Sequence, residues 1–137
     1  MYPESPWARV MVPRGVGIVH SKVVLFSPDL TRNQPFDLTV DTGSLFTWVP
    51  EDIATGLGHR PLRTLRFRTI DGRTVERSVC DAPIEVEGLQ GTVRIVLAKP
   101  GDVSVLGVTA LETLALVVDP ATNALRQEDA TLALAVA

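Results

Sequence analysis

Cysteine is nearly absent: the chain of 137 residues has one, Cys80. A lone cysteine cannot close an internal disulfide, so no disulfide framework of the kind found in small secreted domains is available. Histidine is almost as scarce, and His20 and His59 fall in no metal-ligand spacing. Neither lies near Cys80 in sequence, which argues against a Cys-His nucleophile and for a buried structural thiol. There is a single tyrosine, Tyr2. No apolar run approaches a membrane span. The first residues, Met1-Tyr2-Pro3-Glu4-Ser5-Pro6, lack the charged and apolar regions of a signal peptide. Formal net charge is −3, and only the stretch with Arg60, Arg63, Arg66 and Arg68 is basic. Those arginines read as solvent-facing strand positions, not as the basic face that nucleic acid requires. The expectation is a reducing cytoplasm, with no nucleic-acid and no membrane partner.

What is present is a core-forming composition: 45% hydrophobic against 21% charged, enough for one domain over 1–137. Apolar residues come in short runs broken by Gly, Pro, Asp and Asn. Val16-Gly17-Ile18-Val19 and Val23-Val24-Leu25-Phe26 read as strands. Phe36-Asp37-Leu38-Thr39-Val40 and Leu65-Arg66-Phe67-Arg68-Thr69-Ile70 alternate with period two, as half-buried strands do. Asp71-Gly72 marks a hairpin turn, with Arg73-Thr74-Val75-Glu76 returning. Residues 84–87 and 92–97 form a second expected hairpin across 88–91, and 103–106 a short buried strand. Residues 109–116 favour a helix, and a helical turn over 51–54 follows Pro50. The tail, 131–137, reads as a strand, though its Ala and Leu content would also suit a helix. The fold expected is all-β, sandwich or barrel, with one or two short helices.

The chemistry lies where an alternating strand runs into Asp41-Thr42-Gly43-Ser44. By composition alone an Asp-Thr-Gly tripeptide occurs in on the order of a few chains per hundred. Its ordinary role is a loop in which Asp caps backbone N–H groups and Gly takes a positive φ.

The longer stretch Asp41-Thr42-Gly43-Ser44-Leu45-Phe46-Thr47-Trp48-Val49-Pro50 resembles the active-site segment of aspartic proteases. Val105-Leu106-Gly107 resembles the hydrophobic-hydrophobic-Gly motif that packs behind the catalytic loop in that clan. Val108-Thr109-Ala110-Leu111-Glu112 is similar to the helix that follows it in retropepsin-like proteases. The Asp71-Gly72 hairpin falls where the family places its flap, with Ile70, Asp71, Gly72 and Arg73 at the tip. Because Asp-Thr-Gly occurs once, the resemblance is to single-domain, retropepsin-like enzymes, whose closed-barrel-like halves pair as two-fold homodimers.

That resemblance implies an endopeptidase that hydrolyses peptide or protein substrates with water, without cofactor or metal. Asp41 of each subunit would supply one carboxylate of a pair sharing one proton. Gly43 would bring its N–H to the carboxylate, and Thr42 would bond across the subunit boundary. Ser44 would donate its hydroxyl to the carboxylate and move the active window toward acid. Two departures stand out. Where retropepsins pair an Asp with an Arg, this chain has Leu45 and Val108, both apolar, so no buried charge is left alone. The hairpin has only Gly72 at its tip and no flap tyrosine, which leaves Trp48 without the familiar partner. A catalytically silent peptide-binding or dimerisation module of the same fold is the alternative, and a plain β-domain with an accidental motif is the third reading.

Overall fold

The computed structural model describes residues 18–69 and 71–128. Strands β1 (His20–Phe26), β2 (Asn33–Val40) and β3 (Thr47–Pro50) lead into helix α1 (Glu51–Gly56). Strands β4 (Arg63–Arg68), β5 (Thr74–Val86), β6 (Leu89–Ala98) and β7 (Val105–Leu106) precede helix α2 (Val108–Thr113). A small two-stranded sheet, β8 (Leu116–Asp119) with β9 (Ala124–Gln127), follows. The fold is all-β with two short helices.

Six strands close on themselves. β1 pairs antiparallel with β2, β2 parallel with β7, β7 antiparallel with β3, and β3 parallel with β6. β6 then pairs antiparallel with β5, and β5 returns to β1. The circuit leaves none of these six strands wholly unpaired, which removes most of the exposed edge that an open sheet would carry. β5 runs for 13 residues because it serves two structures. Its second half belongs to the closed circuit, while residues from Thr74 to Val79 pair with β4 in a projecting hairpin.

The period-two pattern sorts side chains into two cores. Leu25, Val49, Ile84, Ile95, Leu97 and Leu106 lie in the main core, each fully buried. Burying each such side chain contributes about 1.5–3 kcal/mol. The opposite faces of the same strands supply a smaller core of Trp48, Val79, Val96, Ala98 and Val105, with Phe46, Leu65, Phe67 and Val103 against it. β6 is therefore buried on both faces near its end, and β4 is half-buried with Arg63, Arg66 and Arg68 outward. Cys80 is buried in the main core, and burial pushes its thiol up to about 11.

Several boundaries differ from the sequence reading. Ile18 and Val19 lie outside β1, and Val16 and Gly17 lie outside the described residues. The second hairpin turns on Glu87 and Gly88 alone, at φ of 52° and 76°, so Leu89 to Gly91 are already strand. Both left-handed angles match the twist of a two-residue hairpin. Helix α2 stops at Thr113, because Ala115 takes φ of 55° and Leu116 starts β8. The β8–β9 pair had no counterpart in the sequence reading. The tail strand over 131–137 and the tip residue Ile70 lie outside the described residues. Among the described residues, no helix is long and apolar enough to cross a membrane.

Candidate active site

β2 carries Asp41 to the end of the closed circuit. The Val40 N–H donates to Val19 O at 2.7 Å, and the Asp41 N–H to Leu106 O at 2.9 Å. The chain then turns: the Ser44 N–H donates to Asp41 O at 3.1 Å, and the Gly43 N–H to Asp41 Oδ1 at 2.9 Å. Asp41 is only 4% exposed, whereas Thr42 and Gly43 beside it are exposed. The loop thus reaches the surface with its carboxyl beneath. Burial raises the Asp41 pKa above the ordinary carboxylate value, and the backbone N–H groups of Gly43 and Ser44 pull against that rise.

Val105-Leu106-Gly107 packs behind this loop. Val105 pairs with Thr39 on one side and Trp48 on the other, and Leu106 pairs with Val40. Gly107 is extended, at φ −95° and ψ 175°, so any residue could adopt its backbone angles. Contact makes it glycine: a Cβ there would collide with the Phe46 carbonyl group and lie 2.8 Å from Ser44 O. Its N–H donates to the buried Thr47 Oγ1 at 3.0 Å. The start of α2 then clasps the loop. The Val108 N–H donates to Ser44 O at 2.8 Å, and Thr109 donates to Leu45 O through both its N–H and its Oγ1, at 3.0 and 2.8 Å. Leu45 and Val108, both apolar, are thus tied in by backbone bonds, and Leu45 remains 59% exposed.

Ser44 corrects the sequence reading. Its hydroxyl donates to Phe46 O at 2.8 Å, not to the Asp41 carboxylate. One hydroxyl has one proton to give, and Phe46 O lies two residues on in the same turn. The side chain is buried and closes the loop, while among the described residues the carboxylate is met by backbone N–H groups alone.

The expected hairpin forms, with its turn between Thr69 and Arg73. The Thr69 N–H donates to Arg73 O at 2.8 Å and the Gly72 N–H to Thr69 O at 3.0 Å, with Gly72 at φ of 88°. Asp71 accepts from the Thr69 hydroxyl, from the Arg73 N–H at 3.3 Å and from Arg73 Nε at 2.9 Å. Among the described residues, no hydrogen bond or ion pair joins Asp71, Gly72 or Arg73 to the Asp41 loop. The hairpin meets the site through Phe67 instead. Its ring lies edge-on to Phe46, centroids 6.3 Å apart, and tilted against Trp48 at 5.1 Å. Trp48 is therefore packed under the hairpin, against Phe67. Sequence reasoning missed Phe67 as a site residue; its place as an inward residue of an alternating strand was the signal available.

Among the described residues, no group of three or more His, Cys, Asp or Glu is placed to hold a metal. No protein-family model matches the chain, and a search of curated proteins returns no match.

Proposed function

We propose that the chain is one half of a two-fold homodimeric aspartic endopeptidase of retropepsin-like type, with one Asp41 from each subunit in a shared site. The observation that carries this reading is the Asp41 carboxyl. It is 4% exposed, is held by the Gly43 N–H, and has its affinity for a proton raised by burial. A single carboxyl cannot be base and acid in the same step. Two brought together across a two-fold axis cannot both ionise cheaply, so they hold one proton between them. The ionised member takes a proton from water as the water attacks the peptide carbonyl. The protonated member supplies the proton that the leaving nitrogen needs. The exposed Thr42, Gly43 and Leu45 would face the second subunit. An extended peptide would lie between this floor and the β4–β5 hairpin, held by main-chain hydrogen bonds.

Cleavage of a peptide library by the wild type and by Asp41→Asn tests the reading. Hydrolysis by the wild type that is abolished in a folded Asn variant is the expected result. Equal turnover by the two would remove Asp41 from the chemistry. The hydrogen bonds that Asp71 makes to Thr69 and Arg73 stiffen the hairpin tip, and this favours one second reading, a peptide-binding or dimerisation module with little turnover. Saturable peptide binding with no cleavage by the wild type would select it.

A further inference from the structure

The turn leaving β6 is closed by Asp102. Its N–H donates to Lys99 O at 3.0 Å, and its Oδ2 accepts the Lys99 N–H at 2.8 Å, with Gly101 at φ of 94° between them. The same carboxylate is gripped in two places by Arg77, from Nε to Oδ2 at 2.6 Å and from Nη2 to Oδ1 at 2.9 Å. Both side chains are 18% exposed. Such a bidentate pair fixes direction as well as distance. Arg77 stands on β5 opposite Leu65, in the stem of the hairpin. Asp102 stands three residues before Val105. The pair therefore ties the hairpin stem to the entrance of β7.

β7 has two residues, so its backbone pairings with β2 and β3 are few, and the burial of Leu106 and Val105 in the two cores adds to them. Its far end is held by Gly107 under Phe46 and by the bond to Thr47. Its near end is held by Asp102. A slide of β7 would carry Leu106 O away from the Asp41 N–H, and the carboxyl would move with the loop. The other charges at this corner are Lys99 and Glu51. Lys99 Nζ lies 3.2 Å from Glu51 Oε1, and Glu51 also acts electrostatically on Arg77. Burial works against the Asp102 charge, yet Arg77 and the Lys99 N–H keep its pKa below the ordinary value. The Asp41 pKa is raised, so the pair stays charged while Asp41 titrates.

We infer that Arg77 and Asp102 are positioning residues for Asp41: their ion pair sets β7 between the hairpin stem and the catalytic loop, and β7 sets the carboxyl. The inference rests on the reading of Asp41 as the reacting group. Its test therefore carries one readout that needs no activity.

The variants are Asp102→Asn, Arg77→Lys and the swap Arg77→Asp with Asp102→Arg, each studied well below its unfolding temperature. The first readout is the titration of the Asp41 carboxyl by carbon NMR, assigned by its loss in Asp41→Asn. In Asp102→Asn its midpoint should move down toward the ordinary carboxylate value, as the loosened loop admits water. Arg77→Lys, which keeps the charge but loses the fork, should give a smaller shift. The second readout is kinetic: kcat should fall about tenfold with KM nearly unchanged, since misplacement of a reacting group by a fraction of an ångström costs rate before binding. The swap also removes the acceptor of the Lys99 N–H, so a partial recovery of the Asp41 midpoint relative to Asp102→Asn is what the role predicts. If unfolding temperature drops in Asp102→Asn while the Asp41 midpoint and kcat stay put, the pair is merely structural and the inference is overturned. A moved midpoint in variants of a protein that shows no hydrolysis even as wild type would uphold the positioning and refute the protease reading instead.

Discussion

Gly107 lies directly against the Phe46 carbonyl, so close that no side chain can stand between them. The contact joins the segment behind the Asp41 loop to the loop itself, across many residues of sequence. Gly107→Ala must displace backbone, not merely crowd a flexible side chain. It should cost about 3 kcal/mol or more in urea unfolding, at or above the upper range for overpacked cores. A loss under about 1 kcal/mol, near the median effect of a point substitution, would mean that the loop yields easily.

The Ser44 hydroxyl serves Phe46 O. Ser44→Ala should lower stability by about 1 kcal/mol, the net worth of an ordinary hydrogen bond with its acceptor left short of a partner. Both limbs of the pH–rate profile should stay where they are, because the carboxylate loses nothing. A profile displaced toward neutrality would show that the hydroxyl turns to Asp41 in the working dimer.

Asp41 has its pKa raised by burial, so the folded chain binds that proton more tightly than the unfolded chain does. Its contribution to stability is fully present below the unfolded pKa and is lost as pH rises through the folded pKa. Asp41→Asn removes that loss. The Asn variant should therefore melt above the wild type at neutral pH, and the two curves should converge in acid. Asp29, held down to about 2 by bonds from Ser27 and Thr31, works in the opposite direction. Its contribution is present above the unfolded pKa and fades as pH falls toward 2. Asp41→Asn and wild type melting together across the whole range would contradict the burial of the carboxyl.

Much of this was legible because it is local. The alternation of Phe36 to Val40, the Asp-Thr-Gly turn, the Asp71-Gly72 hairpin and the helix after Gly107 are carried by neighbouring residues, and the structure has each of them. The misses are of three kinds. β9 is written in Ala, Leu, Arg and Gln, all good helix formers, so its strand character comes from pairing with β8 and not from propensity. The Asp119-Pro120 and Asn123 turn residues were the clue, with Ala121 N–H bonding to Asp119 Oδ1. The other misses are long-range: Phe67 on Trp48, and Arg77 on Asp102. Nothing near either residue in sequence names its partner. Ser44 failed for a third reason: the sequence names the hydroxyl but not its acceptor, and the turn geometry gives it Phe46 O.

Gly72 occupies a left-handed position, φ of 88°, with open space around the place of a Cβ. Gly72→Val therefore strains backbone alone, by about 1–2 kcal/mol. The unfolding midpoint should fall by the few degrees that such a loss implies, and if the hairpin must also close over substrate, kcat/KM measured well below that midpoint should drop roughly tenfold. Unchanged kinetics would make the hairpin a structural projection.

The central claim is that one site takes one Asp41 from each of two chains. Mixing tests it most directly: wild type and Asp41→Asn are unfolded together, refolded at fixed total concentration, and assayed on a cleaved peptide. With a site shared by two subunits, activity should follow the square of the wild-type fraction, so an equal mixture retains about a quarter. A linear fall, with about half retained, is what independent one-carboxyl sites would give and would contradict the account.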